Sequence, residues 1–582
     1  MSNAWSPTRL IDVKNRTASR EIFVDRDVYR QEQEQIFARA WLFVGHECQV
    51  PNPDDFYVSR MGEESVILTR DRQGKLHVFL NTCRHRGMKL CRHDEGNTRV
   101  FSCPYHAWSY STDGALVSIP GELFGVPGYK KYYHEELDKQ EWGLVPVPQM
   151  INYRGTIWAT WDKSAAPFED YLGSFKFWLD SALDHRDGRE GGSVVLVGVQ
   201  KWRTNCNWKF PATNFVGDAA HVIAHRSVDM VNLNPSGTEG RRDERAEGHA
   251  AFGWPDLGHG GLGFTSRPEE EFPRIPSFQK YPHVSEYLIQ SAKAHQKRRA
   301  GKIHQQGKGT IFPNMSFHED QPRTIIVHHP NGPTQTEFWR YYLVDADAPT
   351  EVKDTLRHYY MTYSGPGGMT EQDDLENWAS ATEASQGAVA RRFPYNYQQG
   401  LRYSVPYEGL PGAVWCGERV TEQPAHLAET LGRVHGSARL GPVDAARAGL
   451  QRCRVPAENR AVMDGVPKGF EAQALRLDVE DFLHAEADLV DDRKFDQWLA
   501  LFSEDLQYRM PIVRNIAAPS IANEYLSGPL DVSWFDEGKK LRRPWHAPSE
   551  HGQFADTAVT HYGRHVVRKH TGHRRKVTGR IP

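Results

Sequence analysis

Cys83-Arg84-His85 and, after seventeen intervening residues, Cys103-Pro104-Tyr105-His106 bring two thiols and two imidazoles into one short stretch of the 582-residue chain. One pair is spaced C-x-H and the other C-x-x-H. Two thiolates and two imidazoles are the ligand set of a [2Fe–2S] cluster in which cysteines hold one iron and histidines the other. Replacing two anionic thiolates by neutral imidazoles makes the cluster less negative, so it accepts an electron more readily than an all-cysteine cluster. Such a centre moves one electron at a time.

This is a Rieske pattern. A Cys2His2 zinc site would use the same atoms, but Gly87 behind one pair and the aromatic-rich run behind the other favour the cluster. Cys91-Arg92-His93 is a second C-x-H. Only nine residues separate it from Cys103, short for two opposing ligand loops, so it reads as non-ligating. Cys48, Cys206, Cys416 and Cys453 are isolated and read as inert thiols. Seven cysteines in so long a chain make no disulfide framework.

A second constellation lies downstream, where His221 and His225 stand four apart in a stretch helical in pattern from about Trp208 to Arg226. On an α-helix they share a face, with Cβ atoms about 5–6 Å apart. A carboxylate from elsewhere completes a 2-His-1-carboxylate triad that leaves positions on Fe(II) open for dioxygen and substrate. Asp374, in Thr370-Glu371-Gln372-Asp373-Asp374-Leu375-Glu376-Asn377-Trp378, is the best donor. Alone, a His pair is more often a surface feature and an acidic cluster a solvated helix start. A one-electron carrier upstream changes that weighting, because single electrons need an acceptor that can activate O2.

These residues need rigid supports. Residues 1–40 read as an N-terminal helical segment, with Val28, Tyr29, Ile36 and Phe37 about two turns apart. From 41 to 158 short β-branched and aromatic runs alternate with turn residues, an antiparallel β unit holding the cluster loops at its tip. From 159 to 416 helices and strands, SVVLVGVQKWRTN, TIFPNMSF, RTIIVHHP and TEFWRYYLV among the latter, suggest helices over an antiparallel sheet. A long polar loop is expected from Pro235 to Gly263. The fold class is therefore α+β. Residues 417–470 read as linker, 471–541 as a further partial α+β unit with helices in VEDFLHAEADLVDD and FDQWLALF and a strand in LQYRMP, and 542–582 as an irregular His/Arg tail.

Composition narrows the class further. Charged residues at 25% and a net charge of −3 give no electrostatic case for nucleic acid or a membrane surface. An apolar leader or a spanning run of about 20 residues is not evident, so the cytoplasm is expected.

The Rieske spacing, NWKFPATNFVGDxxH, EQDDxENW and GTIFPNMSF together resemble the large (α) subunit of bacterial ring-hydroxylating dioxygenases, across about 20–410. VEDFLHAEADLVDDRKFDQWLALFSEDLQYRMP and VSWFDEGKKL resemble the small (β) subunit from about 475 to 541, implying a partial NTF2-like domain. The resemblance implies that Cys83, His85, Cys103 and His106 hold the cluster and that His221, His225 and Asp374 hold mononuclear iron. It further implies that Asp218 bridges the partner subunit's His106 to His221, and that Asn214 sits near the iron. Relatives usually place four residues between the two iron histidines and here there are three; Ala220 and Thr213 stand where an aromatic and a glutamate are common.

The implied activity is addition of O2 to an aromatic substrate to give a cis-dihydrodiol, with electrons from NADH through a separate reductase and a ferredoxin. No G-x-G-x-x-G fingerprint follows a strand in this chain. The implied assembly is α3β3, hence a homotrimer of this chain. Two other readings stand beside it: a Rieske monooxygenase or demethylase, and an electron-transfer protein without a working mononuclear site.

Overall fold

A computed structural model describes residues 10–120, 137–196, 198–217, 220–225, 249–264, 281–298, 307–319, 323–398, 404–407 and 411–416, with residue 497 and four short strands beyond 506. Packing divides the chain into one unit of Met1–Ser437 with Pro511–Trp534 and another of Ala438–Met510 with Phe535–Pro582. The expected helices in VEDFLHAEADLVDD and FDQWLALF lie outside the described residues, apart from Gln497. The expected strand in LQYRMP is present as Gln507–Pro511, and Val532–Glu537 is a strand too.

In the first unit α1 (Arg26–Glu32) starts on an Asp25 side-chain cap and runs into a π-helical turn, Gln33–Phe37. Its buried face is Val28, Tyr29, Ile36 and Phe37, as the two-turn spacing predicts, but Glu32 is buried among them. The β region follows as β1 (Leu42–His46), β2 (Asp55–Met61), β3 (Glu64–Arg70), β4 (Leu76–Leu80), β5 (Glu95–Asn97), β6 (Val100–Ser102), β7 (Ser109–Ser111), β8 (Leu116–Ser118), β9 (Gln149–Tyr153) and β10 (Thr156–Thr160). These make three antiparallel sheets, ordered β4-β3-β2-β5, β8-β7-β6 and β9-β10-β1. Phe56, Ile67, Phe79, Phe101, Trp108, Tyr110 and Leu116 form a core of their own around Cys83, Cys91 and Cys103.

Beyond residue 160 come α2 (Phe168–Leu172), α3 (Lys176–Leu183), β11 (Ser193–Val195), β12 (Gln200–Thr204) and α4 (Lys209–Gly217). Next are β13 (His249–Trp254), β14 (His259–Phe264), α5 (Pro282–Arg298), β15 (Gly307–Ile311), β16 (Met315–His318), β17 (Thr324–Pro330) and β18 (Thr336–Asp345). Helices α6 (Thr350–Tyr363) and α7 (Met369–Gln386) and strands β19 (Ser404–Pro406) and β20 (Val414–Cys416) follow. The strands form one antiparallel sheet, β11-β18-β17-β16-β15-β14-β13-β20-β19, with β12 also paired to β18. SVVLVGVQKWRTN and TIFPNMSF are therefore two strands each. Helices α5 and α6 cover the sheet through Val284, Leu288, Val352, Leu356 and Tyr360 against Tyr342 and Val344.

Two expectations need correction. The polar loop expected from Pro235 to Gly263 ends in β13 and most of β14, whose glycines read as loop signals. Two of them are there because neighbours press close: a Cβ on Gly260 would strike the Val216 methyl of α4, and one on Gly261 would come 2.8 Å from the Lys308 carbonyl oxygen of β15. The helix expected to run from Trp208 to Arg226 stops at Gly217, a residue type favoured where helices end. Ala220–His225 then form a 3₁₀ segment.

His259 on β14 fixes this region through a single tautomer. Its Nε2–H donates to the Tyr171 carbonyl (2.7 Å) while Nδ1 accepts from the Phe312 N–H (3.0 Å), and the ring is buried. Burial pushes its pKa down to about 4, well under the ordinary value of 6.5. The unfolded chain therefore binds a proton that the folded chain refuses between pH 6.5 and 4, and stability present above pH 6.5 is lost as pH falls through that window. The full loss is about 3 kcal/mol. Denaturant unfolding of His259→Gln is expected to show a shallower dependence on pH between 6.5 and 4 than the parent chain.

Candidate metal centres

Cys83 follows β4, Cys103 follows β6, and their loops close alike. The Gly87 N–H donates to the Cys83 carbonyl (2.9 Å) and the Cys83 N–H to the Met88 carbonyl (2.8 Å). Likewise the Ala107 N–H donates to the Cys103 carbonyl (2.8 Å) and the Cys103 N–H to the Trp108 carbonyl (2.8 Å). The fourth residue after each cysteine is left-handed, with φ +72° at Gly87 and +55° at Ala107. Glycine adopts that conformation freely, whereas alanine holds it only because the surrounding loop imposes it. C-x-H and C-x-x-H are thus two versions of one loop, the imidazole displaced by a residue.

The four side chains converge. The His85 and His106 rings lie 4.5 Å apart at 73°, and His85 stacks on Trp108 at 4.9 Å. Both sulfurs are buried and both imidazoles half-buried, next to Tyr105, which is 58% exposed. The Tyr110 hydroxyl accepts from the Arg84 N–H (3.1 Å), which leaves its own proton for Cys83 Sγ (3.4 Å). Hydrogen bonds of this kind to cluster sulfurs set the potential of an iron–sulfur centre.

His85 Nδ1 is buried without a hydrogen-bond partner, a costly state for a polar atom. Burial, then His106 and Arg86, holds its pKa below the ordinary histidine value. A neutral imidazole with a free lone pair is what a metal requires. The residues fit a Cys2His2-ligated [2Fe–2S] cluster. Cys91 does not join them: its thiol is buried and pushed up to about 12 by burial, and its backbone is held by the Asn81 side chain.

The second group forms where the 3₁₀ segment meets α7. His221 Nε2 is hydrogen-bonded to Asp374 Oδ1, and His225 Nε2 lies 3.4 Å from the same oxygen. The two imidazoles are 4.9 Å apart and nearly perpendicular, at 86°. On a 3₁₀ turn residues four apart do not share a face as they would on an α-helix. Asp374 reaches between them instead. One ligand atom from each of the three residues lies within 4.8 Å of the others, and among the described residues no other group of His, Cys, Asp and Glu meets that criterion. Burial would raise the Asp374 carboxyl, but His225 and His221, with Lys308, hold it below its usual range. Two imidazoles and one buried carboxylate fit a divalent iron with open positions.

Asn214 is buried on α4. Asp218 lies outside the described residues. Sequence reasoning missed the groups behind Asp374. Glu371, one turn earlier on α7, is fully buried in an ion pair with Arg340 of β18. Burial pushes its carboxyl up to about 7, against the pull of Arg340 and with the push of Asp374. The signal was its place three residues before Asp374. His318 of β16 is a second omission, its pKa pushed down to about 3 by burial, with Lys308 and Arg340 adding to it.

Known proteins carry the same two parts in the same order. Residues 40–127 match the family model "Rieske [2Fe-2S] domain", and residues 187–403 match "Ring hydroxylating alpha subunit (catalytic domain)". The chain is 37% identical over 409 residues to the α subunit of biphenyl 2,3-dioxygenase from Rhodococcus jostii, covering 67% of this chain and 83% of that one. It is 34% identical over 433 residues to the α subunit of benzene 1,2-dioxygenase from Pseudomonas putida, covering 70% and 90%. The crystal structure of naphthalene 1,2-dioxygenase from a Rhodococcus species, bound to indole, superimposes with a TM-score of 0.59 at 31% identity, over 72% of this chain and 93% of that one. The chain belongs to the large (α) subunit family of ring-hydroxylating dioxygenases. It is an oxidoreductase, the terminal oxygenase of a multicomponent system for aromatic substrates, whose cofactors are a Rieske [2Fe–2S] cluster and a mononuclear iron. Among the described residues no helix is long and apolar enough to cross a membrane.

Proposed function

We propose that this chain adds both atoms of O2 to an aromatic ring to give a cis-dihydrodiol, drawing electrons from NADH through a separate reductase and a ferredoxin. The observation that carries the reading is the convergence of His221, His225 and Asp374 in a chain that also holds four Rieske-type ligand side chains. In this reading Cys83, Cys103, His85 and His106 would hold the cluster, both sulfurs from buried positions and both imidazoles from half-buried ones. His221, His225 and Asp374 hold the iron. The cluster supplies single electrons and the iron supplies dioxygen activation.

The remaining work belongs to the protein. Half-buried His85 and His106 lie close to the surface, and the basic residues Arg86, Lys89, Arg92 and Arg99 in the stretch between the two ligand pairs are exposed. That basic rim suits an acidic electron donor. Asp218 is positioned in sequence to bridge the partner subunit's His106 to His221, which makes a trimer the natural assembly. Asn214 lies on the helix leading to the histidines and would line the iron pocket. The stretch from 471 to 541 is read as a partial small subunit joined to the large one, and the cytoplasm as the compartment.

Labelled oxygen separates the readings. With 18O2, NADH, a reductase, a ferredoxin and a simple arene such as biphenyl, the dioxygenase reading predicts two labels in each product molecule. One label would identify a monooxygenase. Cluster turnover without labelled product would leave an electron-transfer protein.

A further inference from the structure

Asn207-Trp208-Lys209 opens α4, twelve residues before His221, and none of the three is a candidate ligand. All three are nevertheless buried, with Trp208 fully so. Asn207 ties α4 to α7: its Oδ1 accepts from the Lys209 N–H (3.0 Å), its Nδ2 donates to the Pro333 carbonyl (2.7 Å), and its backbone N–H donates to Thr382 Oγ1 (3.0 Å) on α7. Thr382 is anchored in turn, its hydroxyl donating to the Trp378 carbonyl (2.8 Å). Trp208 and Lys209 tie the same point to α1. The indole N–H donates to Glu32 Oε2 (3.0 Å), and the ammonium lies 2.7 Å from Glu32 Oε1.

The surroundings repeat the connection in apolar form. Phe210 stacks on Phe23 at 4.2 Å, Tyr395 meets Phe23 edge-on at 5.5 Å, and the Tyr395 hydroxyl lies 2.6 Å from Ser385 Oγ on α7. Glu32 itself stands where α1 passes into its π-helical turn, a distortion frequent at functional sites.

Stability alone does not account for the ion pair. Lys209 and Glu32 side chains are each 1% exposed, and a buried pair gains little over a well-packed apolar one. A lysine on the first residue of a helix also opposes the helix dipole. What the pair does supply is a fixed position. A nine-residue helix is about 13 Å long, so a tilt of ~5° about its start moves its far end by about 1 Å. Metal–ligand distances tolerate about ±0.2 Å.

We propose that Glu32 with Asn207, Trp208 and Lys209 forms a positioning clamp that sets α4 against α7, and so sets the separation between the histidines that follow α4 and Asp374. The proposal rests on the reading of His221, His225 and Asp374 as iron ligands. The clamp touches no reacting atom.

The test uses the full chain with its cluster intact and Co(II) as probe of the mononuclear site, read by affinity and by its visible d–d bands. Glu32→Gln and Lys209→Met each lower Tm, and the double variant E32Q/K209M recovers it because no unpaired charge stays buried. The clamp predicts that the double variant still binds Co(II) about 10-fold more weakly or worse, with shifted d–d bands and unchanged cluster absorption. Thr382→Val, which removes the α7 anchor of Asn207 together with the hydroxyl's own bond to the Trp378 carbonyl, shifts the bands in the same direction. Wild-type affinity and bands in both E32Q/K209M and T382V overturn the clamp. If His221→Ala leaves Co(II) binding of the parent chain untouched, the ligand reading fails and takes the clamp with it.

Discussion

Replacing Asp374 by alanine abolishes ring hydroxylation, lowering turnover by at least ~10²-fold, the scale on which loss of one preorganised group at a reacting centre acts. The carboxylate is the only one of the three clustered side chains that comes from α7, and it is the oxygen both imidazoles approach. Without it two neutral nitrogens remain, a weaker and less charged site for a hard divalent ion. Asp374→Asn keeps the shape and removes the charge, and is expected to be almost as damaging. The visible absorption of the Rieske cluster stays unchanged in both, because its loops pack in a core of their own. Single-turnover assays with pre-reduced protein read the first effect and absorption spectra the second. Substantial turnover by Asp374→Ala would remove the residue from the iron site.

The largest expected effect on stability belongs to a residue remote from either metal centre. Arg323 of the turn into β17 is 1% exposed, and its guanidinium is spent on three acceptors: Nε donates to the Ala182 carbonyl (2.8 Å), Nη1 to Asp345 Oδ1 (2.8 Å) and Nη2 to the Asp184 carbonyl. These bonds fasten the end of α3 to the long strand β18. Arg323→Ala leaves the wholly buried Asp345 carboxylate without its cation and two carbonyls short of a donor, a loss of about 3–5 kcal/mol. Urea unfolding measures it. Arg323→Met combined with Asp345→Leu recovers part of the loss, since the greater part is the penalty on the abandoned charge. Equal stability of Arg323→Ala and the parent chain would contradict this account of the sheet.

Different physics made parts of the molecule legible in sequence and hid others. The two cysteine loops were readable because candidate ligands, loop length and a glycine at the left-handed position all sit within a few residues of each other. His221, His225 and Asp374 were readable as a set only because the cluster upstream gave them a purpose. Their backbone setting was misjudged: the helix breaks at Gly217 and the histidines ride a 3₁₀ turn.

Strands β13 and β14 escaped because glycines interrupt their pattern; in β14, Gly260 answers to close packing against α4 and Gly261 to that against β15, which periodicity cannot reveal. Helix α7 hid its buried side for a related reason. The face it turns inward is Thr370, Glu371, Asp374, Trp378, Thr382 and Ser385, nearly all polar, so hydrophobic spacing marked nothing. Polar residues there are paired one by one, Glu371 with Arg340, Thr382 with Asn207 and Ser385 with Tyr395. Partners so distant in sequence have no local signature.

The central claim is that one chain holds a Rieske cluster and a mononuclear iron together. Iron and acid-labile sulfide per chain, measured after anaerobic purification with added Fe(II), test it most directly. The account predicts about three irons to two sulfides. About two irons to two sulfides would mean that His221, His225 and Asp374 hold no iron, and the oxygenase chemistry assigned to them would fall.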